Sequence, residues 1–593
     1  MAISSQKSDL RQLVFCQQTT HCLLLTNHAL SSVDKPRKSK FFQPINNEIR
    51  PFEKYSGLAV VIFPLYDYLC RMDAMNKEML RLALPSILAN LTVPLVGMVD
   101  IAVAGHLDTS AAALIGGISV GSLMFDLLYW NFGFLRAGTG GMTAQAFGRQ
   151  DWDDCVGNLT RGVGLAFIIA FALLLIQWPF QKLIFLFVGC SEEVRSLALE
   201  YFYIRIWAAP ATLSLMAFRG WFIGMQDTFS SMLTDVIVNV GNILFSILLT
   251  FGIPGTAFNG LGFKGIALGT VVAQYSGLLF ASGRVALKFR NIVGGVSALD
   301  LKAAFNGDKV RRFFSVNRDL FIRSVCLIIV YLAFTAISAR FGDVLLASCS
   351  IMLKLLLVFS YFTDGFAFAG EALTGKFVGV RWPQMVRRTV DYTFGWSMGI
   401  GVIFVFIYAV FGMSMVRILT SDGIVVEATR AFMPWLVLFP LVSCPAFTWD
   451  GIYTGATATK PMRDSNIGCV AAFFAVWLIG SLLIDSPVPA SGVGAYGAAG
   501  AAGASGALDA ARTFSGAVAA GAADAFSGAG AAGATDAFSG AGSLDSSSLG
   551  AFDAASVAGA HLLFAAYYAH LIYRSLYQTF HYKKSILNPL LIS

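Results

Sequence analysis

The apolar run at residues 82–104, LALPSILANLTVPLVGMVDIAVA, constrains the fold of this chain more than any other segment. A run of this length is long enough to cross the hydrocarbon core of a bilayer as an α-helix. It carries Asn90, Gly97 and Asp100 at spacings that return to one helical face. A carboxylate at that depth costs about 2.5–3.5 kcal/mol, so it normally faces a protein interior or a water-filled cavity. The segment predicts a membrane helix with a polar stripe, in which Asp100 either has a function or satisfies packing between helices.

The composition of the whole chain indicates the same class of protein. Of its 593 residues 56% are hydrophobic and only 13% are charged, which is too little charge to cover the surface of a soluble globule. The net charge of +7 does not indicate a nucleic-acid partner, because the bases fall in short loops between apolar runs. The nine cysteines form no CxxC pair and have no histidine at metal-ligand spacing. We therefore expect a polytopic protein whose partner is the lipid bilayer, with no metal and no cofactor.

Windows of about 20 apolar residues predict twelve transmembrane helices, which we number as spans 1 to 12. The windows are 80–104, 112–146, 156–186, 194–225, 229–252, 264–288, 313–340, 345–377, 386–415, 426–458, 464–484 and 556–577. The predicted fold class is therefore an all-α polytopic membrane protein.

The loop charges predict the orientation. Connections after odd-numbered spans hold few bases, whereas those after even-numbered spans hold Arg149; Arg284, Lys288, Arg290, Lys302, Lys309, Arg311 and Arg312; Arg381, Arg387 and Arg388; and Lys460 and Arg463. Because cytoplasmic loops carry an excess of Lys and Arg, we expect both termini to be cytoplasmic. We further expect a monomer in the inner cell membrane.

The two halves of the chain repeat with a shift of about 231 residues. Gly148 then corresponds to Gly379, and the glycines of RGWFIGMQDT at 219–228 correspond to those of WDGIYTGATAT at 449–459. The repeat predicts two pseudo-symmetric lobes of six spans. Since six is an even number, the two lobes share one orientation, and the cavity between them is where transporters of this organisation hold cargo.

These patterns divide the chain into segments. They are a poorly ordered extension at 1–74, an N-lobe of spans 1–6 at 75–290, a cytoplasmic connection at 291–312, a C-lobe of spans 7–11 at 313–485, a low-complexity Ala/Gly/Ser insert at 486–555, span 12 at 556–582, which completes the C-lobe, and a cytoplasmic tail at 583–593. MNKEMLRLALP at 75–85 resembles a natural start, which favours an over-extended amino terminus over an organelle transit peptide.

Polar residues inside the spans are the candidates for function. Span 5 carries Ser231, Asp235, Asn239, Asn242 and Ser246 at steps of three or four residues, which places them in one line on one helix face. We expect this line to meet the face of Asp100, whose ionised form would attract a cationic cargo and the amides of Asn239 and Asn242.

Further charged groups occur in other spans. Span 8 holds a similar line of Lys354, Tyr361, Asp364, Phe368, Glu371 and Gly375; span 2 holds Asp126 and Arg136; and Asp450 opens the glycine motif of span 10. For these charges the sequence leaves ion pairs and cavity roles open. In span 7, Asp319 and Arg323 are four residues apart, for which we favour a local ion pair that fixes helix register.

Three blocks carry a resemblance to a known family: LALPSILANLTVPLVGMVDIAVAGHL at 82–107, WNFGFLRAGTGGMTAQAFG at 130–148 and DGFAFAGEALTGKFVG at 364–379. They resemble the DinF-like branch of the multidrug and toxic compound extrusion (MATE) transporters, over roughly 75–485 and 556–582. The resemblance implies a twelve-helix, two-lobed antiporter that exports small organic compounds, cationic or amphipathic, in exchange for H⁺ or Na⁺. The extension and the insert depart from the family pattern.

The resemblance also assigns candidate residues. The first-span acid of the family matches Asp100, and its acid and asparagine in span 5 fall in the region of Asp235 and Asn239. We therefore predict that Asp100 and Asp235 couple cation movement to export. The predicted cargo or cavity residues are Asn90, Asn239, Asn242, Asp126, Arg136, Tyr361, Asp364, Glu371 and Asp450.

Two other classes of function are alternatives to an exporter. A lipid-intermediate flippase of the same superfamily would have a more strongly cationic cavity, whereas the buried acids here at least balance the bases. A membrane-embedded enzyme would need a nucleophile with a base, or metal ligands, and His106, His561 and His570 have no such partner in the sequence. We favour a cation-coupled exporter that is not an enzyme, with the proton as coupling ion ahead of Na⁺.

Overall fold

The computed structural model of the protein describes residues 74–107, 111–185, 190–252, 259–294, 307–485 and 554–592. Within these ranges the secondary structure is helical, with short connections and no β-strand. The extension predicted at 1–74 lies outside the described residues except for its last residue. The insert predicted at 486–555 also lies outside them except for its last two residues.

All six spans of the N-lobe are helical. Their bounds are Ala74–Gly105 for span 1; Ala111–Tyr129 and Phe134–Gly148, joined by a 3₁₀ turn at Trp130–Gly133, for span 2; Trp152–Ile184 for span 3; Glu192–Arg205 and Ala209–Gly224, joined by a 3₁₀ turn at Ile206–Ala208, for span 4; Thr228–Phe251 for span 5; and Phe263–Lys288 for span 6, followed by a short helix at Arg290–Val293.

The six spans of the C-lobe are helical as well. They are Gly307–Ser338 with a 3₁₀ turn at Ala339–Phe341 for span 7; Asp343–Gly379 for span 8; Pro383–Leu419 for span 9, followed by a short helix at Gly423–Arg430; Met433–Gly455 for span 10; Thr459–Asp485 for span 11; and Ala554–Tyr582 for span 12, which continues through a π turn at Lys583–Leu587 into Asn588–Ile592.

Two details differ from the predicted windows. Spans 2 and 4 are each interrupted by a 3₁₀ turn, and in span 4 the second helix has Pro210 in its first turn, where the missing N–H of proline ends the preceding hydrogen-bond ladder. Span 7 begins at Gly307 instead of 313 because the charged residues before the apolar window continue the same helix. Hydropathy marks the apolar part of a helix and not its full length.

The outward faces of the helices remain apolar. Leu279 of span 6, Ile418 of span 9 and Phe171 of span 3 are 76%, 83% and 64% exposed. In the part of the chain that the structure describes, nine helices are long and apolar enough to cross a membrane. Together these features are those of helices that face lipid.

Glycines bring spans together in the same way within each lobe. A Cβ atom on Gly220 or Gly224 would lie 2.1 or 2.7 Å from the carbonyl oxygen of Arg136 or Gly140, so span 4 packs backbone to backbone on span 2. In the C-lobe a Cβ atom on Gly451 or Gly455 would lie 2.1 or 2.2 Å from the carbonyl oxygen of Ala367 or Glu371. Every residue of the second set follows its counterpart by 231 positions, so the two lobes repeat this contact residue by residue.

The connections between spans repeat too. Among the described residues, the non-glycine residues with positive φ are Gln150, Gln226, Arg381 and Thr457, at 59°, 61°, 59° and 49°. They form two pairs, Gln150 with Arg381 and Gln226 with Thr457, each related by the same 231-residue shift. Left-handed backbone is uncommon for non-glycine residues, so its recurrence at equivalent turns supports the internal repeat.

The two lobes contact each other where spans 2 and 8 end. A Cβ atom on Gly148 would lie 2.1 Å from the carbonyl oxygen of Lys376, and one on Gly379 would lie 2.2 Å from that of Gln145. The Gln145 side chain donates to the carbonyl oxygen of Gly455 at 3.1 Å. This end of the spans leads to the Arg149 and Arg381 connections, for which the loop charges predict a cytoplasmic location.

Span 1 joins the same contact from the N-lobe side. Lys376 forms an ion pair with Glu78 at 2.6 Å, and the indole of Trp396 donates to the Asn76 side chain at 3.0 Å. Both links tie the first turns of span 1 to spans 8 and 9 of the C-lobe.

Candidate functional site

Asp100 is buried where spans 1, 4 and 5 meet. This residue is 2% exposed. The Tyr201 hydroxyl donates to Asp100 Oδ2 at 3.2 Å, and the Ser246 hydroxyl donates to Oδ1 at 3.5 Å. The prediction that the polar line of span 5 meets the Asp100 face is therefore confirmed, through Ser246.

A half-buried base, Arg205, is linked to this carboxylate. Arg205 Nη1 donates to the Tyr201 hydroxyl oxygen at 2.9 Å, and its guanidinium lies 4.8 Å from the centre of the Phe125 ring. Tyr201 therefore accepts from Arg205 and donates to Asp100, and it connects the two charges. Sequence reasoning missed both residues of span 4, although a base inside an apolar window, four residues after a tyrosine, is itself a signal of a polar site.

The two asparagines of span 5 have other partners. Asn242 donates to the Thr270 hydroxyl of span 6 at 2.8 Å, and Asn239 donates to the Thr92 hydroxyl of span 1. The expectation that Asp100 attracts the amides of Asn239 and Asn242 is therefore wrong. The reason is geometric. Asn239 and Asn242 lie two turns and one turn before Ser246, so they face Thr92 of span 1 and Thr270 of span 6 instead of Asp100.

Asp235 belongs to a separate site. It forms an ion pair with Arg219 of span 4 at 2.5 Å and is 8% exposed. Asp235 precedes Ser246 by eleven residues, which is about 16 Å along a helix. The two acids predicted to couple cation movement therefore lie at different depths and next to different arginines.

An ion pair crosses between the lobes. Arg136 of span 2 contacts Glu371 of span 8 at 3.0 Å, and its guanidinium lies 4.2 Å from the centre of the Phe368 ring. Glu371 is 1% exposed. A Cβ atom on Gly140 would lie 2.3 Å from Glu371 Oε1, so the glycine leaves the space that the carboxylate fills.

The C-lobe contains a second buried charge cluster, centred on Asp450. Arg323 of span 7 and Arg574 of span 12 both form ion pairs with this carboxylate, and Gln578 donates to it at 3.4 Å. Arg574 is 2% exposed. Sequence reasoning missed Arg574 and Gln578, because span 12 was treated as an apolar segment alone.

The predicted local pair of Asp319 with Arg323 is wrong. Asp319 accepts from Arg463 at 2.9 Å and from the Thr459 hydroxyl at 3.2 Å, both on span 11. Arg323 pairs with Asp450 instead. An i,i+4 pair on one helix is weak, and here neighbouring helices supply partners to both charges.

The remaining predicted residues lie between the lobes. Asn90 of span 1 donates to the carbonyl oxygen of Tyr361 in span 8 at 3.2 Å. Asp126 is exposed and interacts electrostatically with Arg205 of its own lobe and with Lys354 of span 8. Asp364 is partly exposed, and its electrostatic neighbours are Arg136, Arg323 and Arg574. Acids and bases of both lobes therefore face a common space.

Comparison with known proteins identifies the family of the two lobes. The MatE family model matches residues 85–248 and 320–478, one stretch in each lobe. The DNA damage-inducible protein F of Escherichia coli strain K12 is 32% identical over 428 residues, which cover 71% of this chain and 90% of that protein. Protein DETOXIFICATION 44, chloroplastic, of Arabidopsis thaliana is 23% identical over 446 residues, or 70% of this chain and 78% of that protein.

A solved structure shows the same fold. The Vibrio cholerae MATE transporter VcmN in its bent form is 14% identical, with a TM-score of 0.62 over 87% of this chain and 98% of that chain. MATE transporter structures of this kind have twelve helices in two lobes. The prediction of an all-α polytopic membrane protein with two six-helix lobes is confirmed.

Proposed function

Because this chain belongs to the MatE family of transporters, we propose that it exports organic cationic or amphipathic compounds in exchange for protons, by alternating access between its two lobes. The chain is a multi-pass membrane transporter and not an enzyme. The names of the relatives, which refer to detoxification and DNA damage, support a role in removing harmful compounds.

The observation that carries the proposal is the chain of contacts from Arg205 through Tyr201 to Asp100. In its ionised form Asp100 accepts hydrogen bonds from Tyr201 and Ser246 and balances the charge of Arg205. Protonation removes that charge and turns one carboxylate oxygen into a donor. Because these contacts join spans 1, 4 and 5, the protonated and ionised forms favour different packing of span 1.

Such a difference is what exchange requires. A ligand shifts an equilibrium between two conformations only by its differential affinity for them. The proton acts as that ligand at Asp100. A cationic cargo would then bind when the carboxylate is ionised and leave when the proton returns.

The same contacts support H⁺ over Na⁺ as the coupling ion. A Na⁺ ion at Asp100 would stand close to the positive guanidinium of Arg205, which already interacts with Tyr201 and Asp100. A proton on the carboxylate adds no second cation beside that guanidinium.

Asp235 is proposed as a secondary coupling residue. Its ion pair with Arg219 balances the charge of the carboxylate, about three turns of span 5 away from Ser246. Protonation of Asp235 would leave Arg219 unpaired, so any coupling role involves both residues.

We place the cargo between the lobes, among the residues that face the common space. Asp126 and Asp364 supply negative charge there, whereas Tyr361 supplies an aromatic surface. An aromatic ring and acids together suit a flat organic cation. Arg136, Glu371 and Asp450 are already paired, so we assign them to the walls of the cavity.

The proposed location is the inner cell membrane, with both termini cytoplasmic and the protein acting as a monomer. The loop bases support this orientation. With this orientation the contacts at Gly148 and Gly379 lie on the cytoplasmic side, and we propose that this conformation opens toward the outside.

A lipid-intermediate flippase is the alternative within the same superfamily. Its phosphate-bearing cargo would favour an excess of bases in the cavity. Around Asp364 the charges are balanced, with Arg136, Arg323 and Arg574 facing Asp364, Glu371 and Asp450. This balance favours the exporter.

Transport into inverted membrane vesicles tests the proposal. Uptake of a fluorescent organic cation would be measured with a pH gradient alone and with a Na⁺ gradient alone. We expect uptake with the pH gradient, inside acidic, and its collapse when a protonophore is added. Uptake driven only by the Na⁺ gradient would contradict the choice of ion, and no uptake of any cation with either gradient would contradict the exporter itself.

A further inference from the structure

A second cavity lies away from the space between the lobes. It has a volume of 650 Å³ and lies against the first turns of span 7, the connection between spans 10 and 11, and Ser585 in the segment after span 12. Span 7 contributes one helical face to the lining, and the connection between spans 10 and 11 contributes Lys460. By the loop charges this cavity opens on the cytoplasmic side.

The lining of this cavity has an excess of positive charge. Its bases are Arg311, Arg312 and Lys460, and its acids are Asp308 and Asp319. Asp319 is 1% exposed and already forms an ion pair with Arg463, so its charge is balanced within the protein. Two of the three bases therefore remain without a compensating acid in the cavity.

The bases are available for a ligand. Arg311 and Lys460 are exposed, and in the part of the chain that the structure describes neither has an acidic side chain at ion-pair distance. Arg312 is exposed and donates to the neutral side chain of Gln145 at 3.1 Å, so its charge is not neutralised. The hydroxyl of Ser315 lines the same face and supplies a neutral donor.

We propose that this cavity binds a phosphate group, supplied by the headgroup of an anionic lipid of the cytoplasmic leaflet. Guanidinium and ammonium groups are the usual ligands of phosphate oxygens, and arginine binds them in a bidentate manner. Basic pockets at the cytoplasmic ends of transmembrane helices suit anionic headgroups. Phe314, beside the basic face, is 49% exposed and offers an apolar surface to the acyl chains.

The cavity also adjoins the contact between the lobes. Gln145 accepts from Arg312 and donates to the carbonyl oxygen of Gly455 and to the Thr457 hydroxyl, at 3.1 and 3.0 Å. Thr457 lines the cavity as well. A phosphate held by Arg311, Arg312 and Lys460 would therefore stabilise the conformation in which the lobes meet at this end.

The test uses the purified full-length protein in a neutral detergent. Its thermal-unfolding midpoint would be measured against increasing dioctanoyl phosphatidylglycerol, dioctanoyl phosphatidylcholine and inorganic phosphate. The variant is Arg311→Gln with Lys460→Gln. The matched control is Arg290→Gln with Arg388→Gln, which removes two exposed bases from the same side of the membrane but outside the cavity.

We expect the anionic lipid, and not the zwitterionic one, to raise the midpoint of the wild type and of the control. In the cavity variant the half-saturating concentration should rise at least about tenfold, since two charge-assisted hydrogen-bond donors are lost. The same dependence on the cavity bases with inorganic phosphate alone would retain the phosphate site but assign it to a free anion. Equal responses of the cavity variant and the control, or no response to any of the three probes, would overturn the proposal.

Discussion

Arg136 and Glu371 form an ion pair of 3.0 Å between spans 2 and 8, although 235 residues separate them in the chain. The pair joins the two lobes at a point where Gly140 leaves room for the carboxylate. Glu371 is buried, so its charge depends on this single guanidinium for direct compensation. The pair links the charge sets of the two lobes directly.

Breaking this pair should destabilise the protein. Removing one partner of a buried ion pair costs about 3–5 kcal/mol, because the other charge stays buried without compensation. We expect Arg136→Leu, which leaves the buried carboxylate of Glu371 without its partner, to lower the thermal-unfolding midpoint more than the double variant Arg136→Leu with Glu371→Ala. A double variant that unfolds at a lower temperature than Arg136→Leu would show that the two charges do not depend on each other.

Gly148 offers a test of where the lobes meet. Its missing Cβ allows the span 8 backbone to approach, so Gly148→Leu should keep the lobes apart at that end and reduce export by at least about tenfold, since the outward-open state becomes poorly populated. Gly399→Leu in span 9 is the control, because a Cβ atom there meets nothing within 4 Å. The measurement is gradient-driven efflux at equal membrane abundance. Equal efflux by both variants would show that this close contact is not needed.

The orientation can be tested with introduced cysteines, in a background in which the native cysteines are replaced. In intact cells an impermeant thiol reagent should label a cysteine at Ser527 and should not label one at Ser297, because the loop charges predict that the two segments lie on opposite sides of the membrane. Labelling at 297 only would reverse the orientation and every gradient argument based on it.

Deletion of the Ala/Gly/Ser-rich insert should be tolerated. Its composition has few of the large apolar side chains that a packed core requires, and it needs only to connect span 11 to span 12. Replacing 490–553 by a short Gly/Ser linker should leave both membrane abundance and export near wild-type levels. Loss of export by an abundant, correctly inserted protein would make the insert a functional part.

The sequence predicted the architecture better than the partners of individual charges. Hydropathy located all twelve spans, and the three- and four-residue spacing of span 5 predicted that its polar line meets the face of Asp100, which it does through Ser246. Both inferences depend only on positions along one helix. The 231-residue shift predicted two repeated lobes, and the equivalent glycines make equivalent contacts in them.

Contacts between helices were harder to predict. Asp319 and Arg323 have the spacing of a local pair, yet each is paired with a residue more than 100 positions away, Arg463 and Asp450. Tyr201 and Arg205 were missed because span 4 was evaluated for its apolar length and not for its bases. The partner of a buried charge depends on which helices pack against each other. The spacing of residues along a single helix does not contain that information.

The central claim is that Asp100 couples proton movement to export, and Asp100→Asn tests it most directly. The change keeps the size of the side chain and its capacity to accept from Tyr201, but it removes the titrating group. Gradient-driven efflux would be measured together with membrane abundance and equilibrium binding of an organic cation, with Asp235→Asn beside it as the proposed secondary coupling residue.

For Asp100→Asn the account predicts an abundant protein that has lost gradient-driven export. Near-normal gradient-driven export by this variant would contradict the account and would move the coupling site to Asp364, Glu371 or Asp450 in the C-lobe.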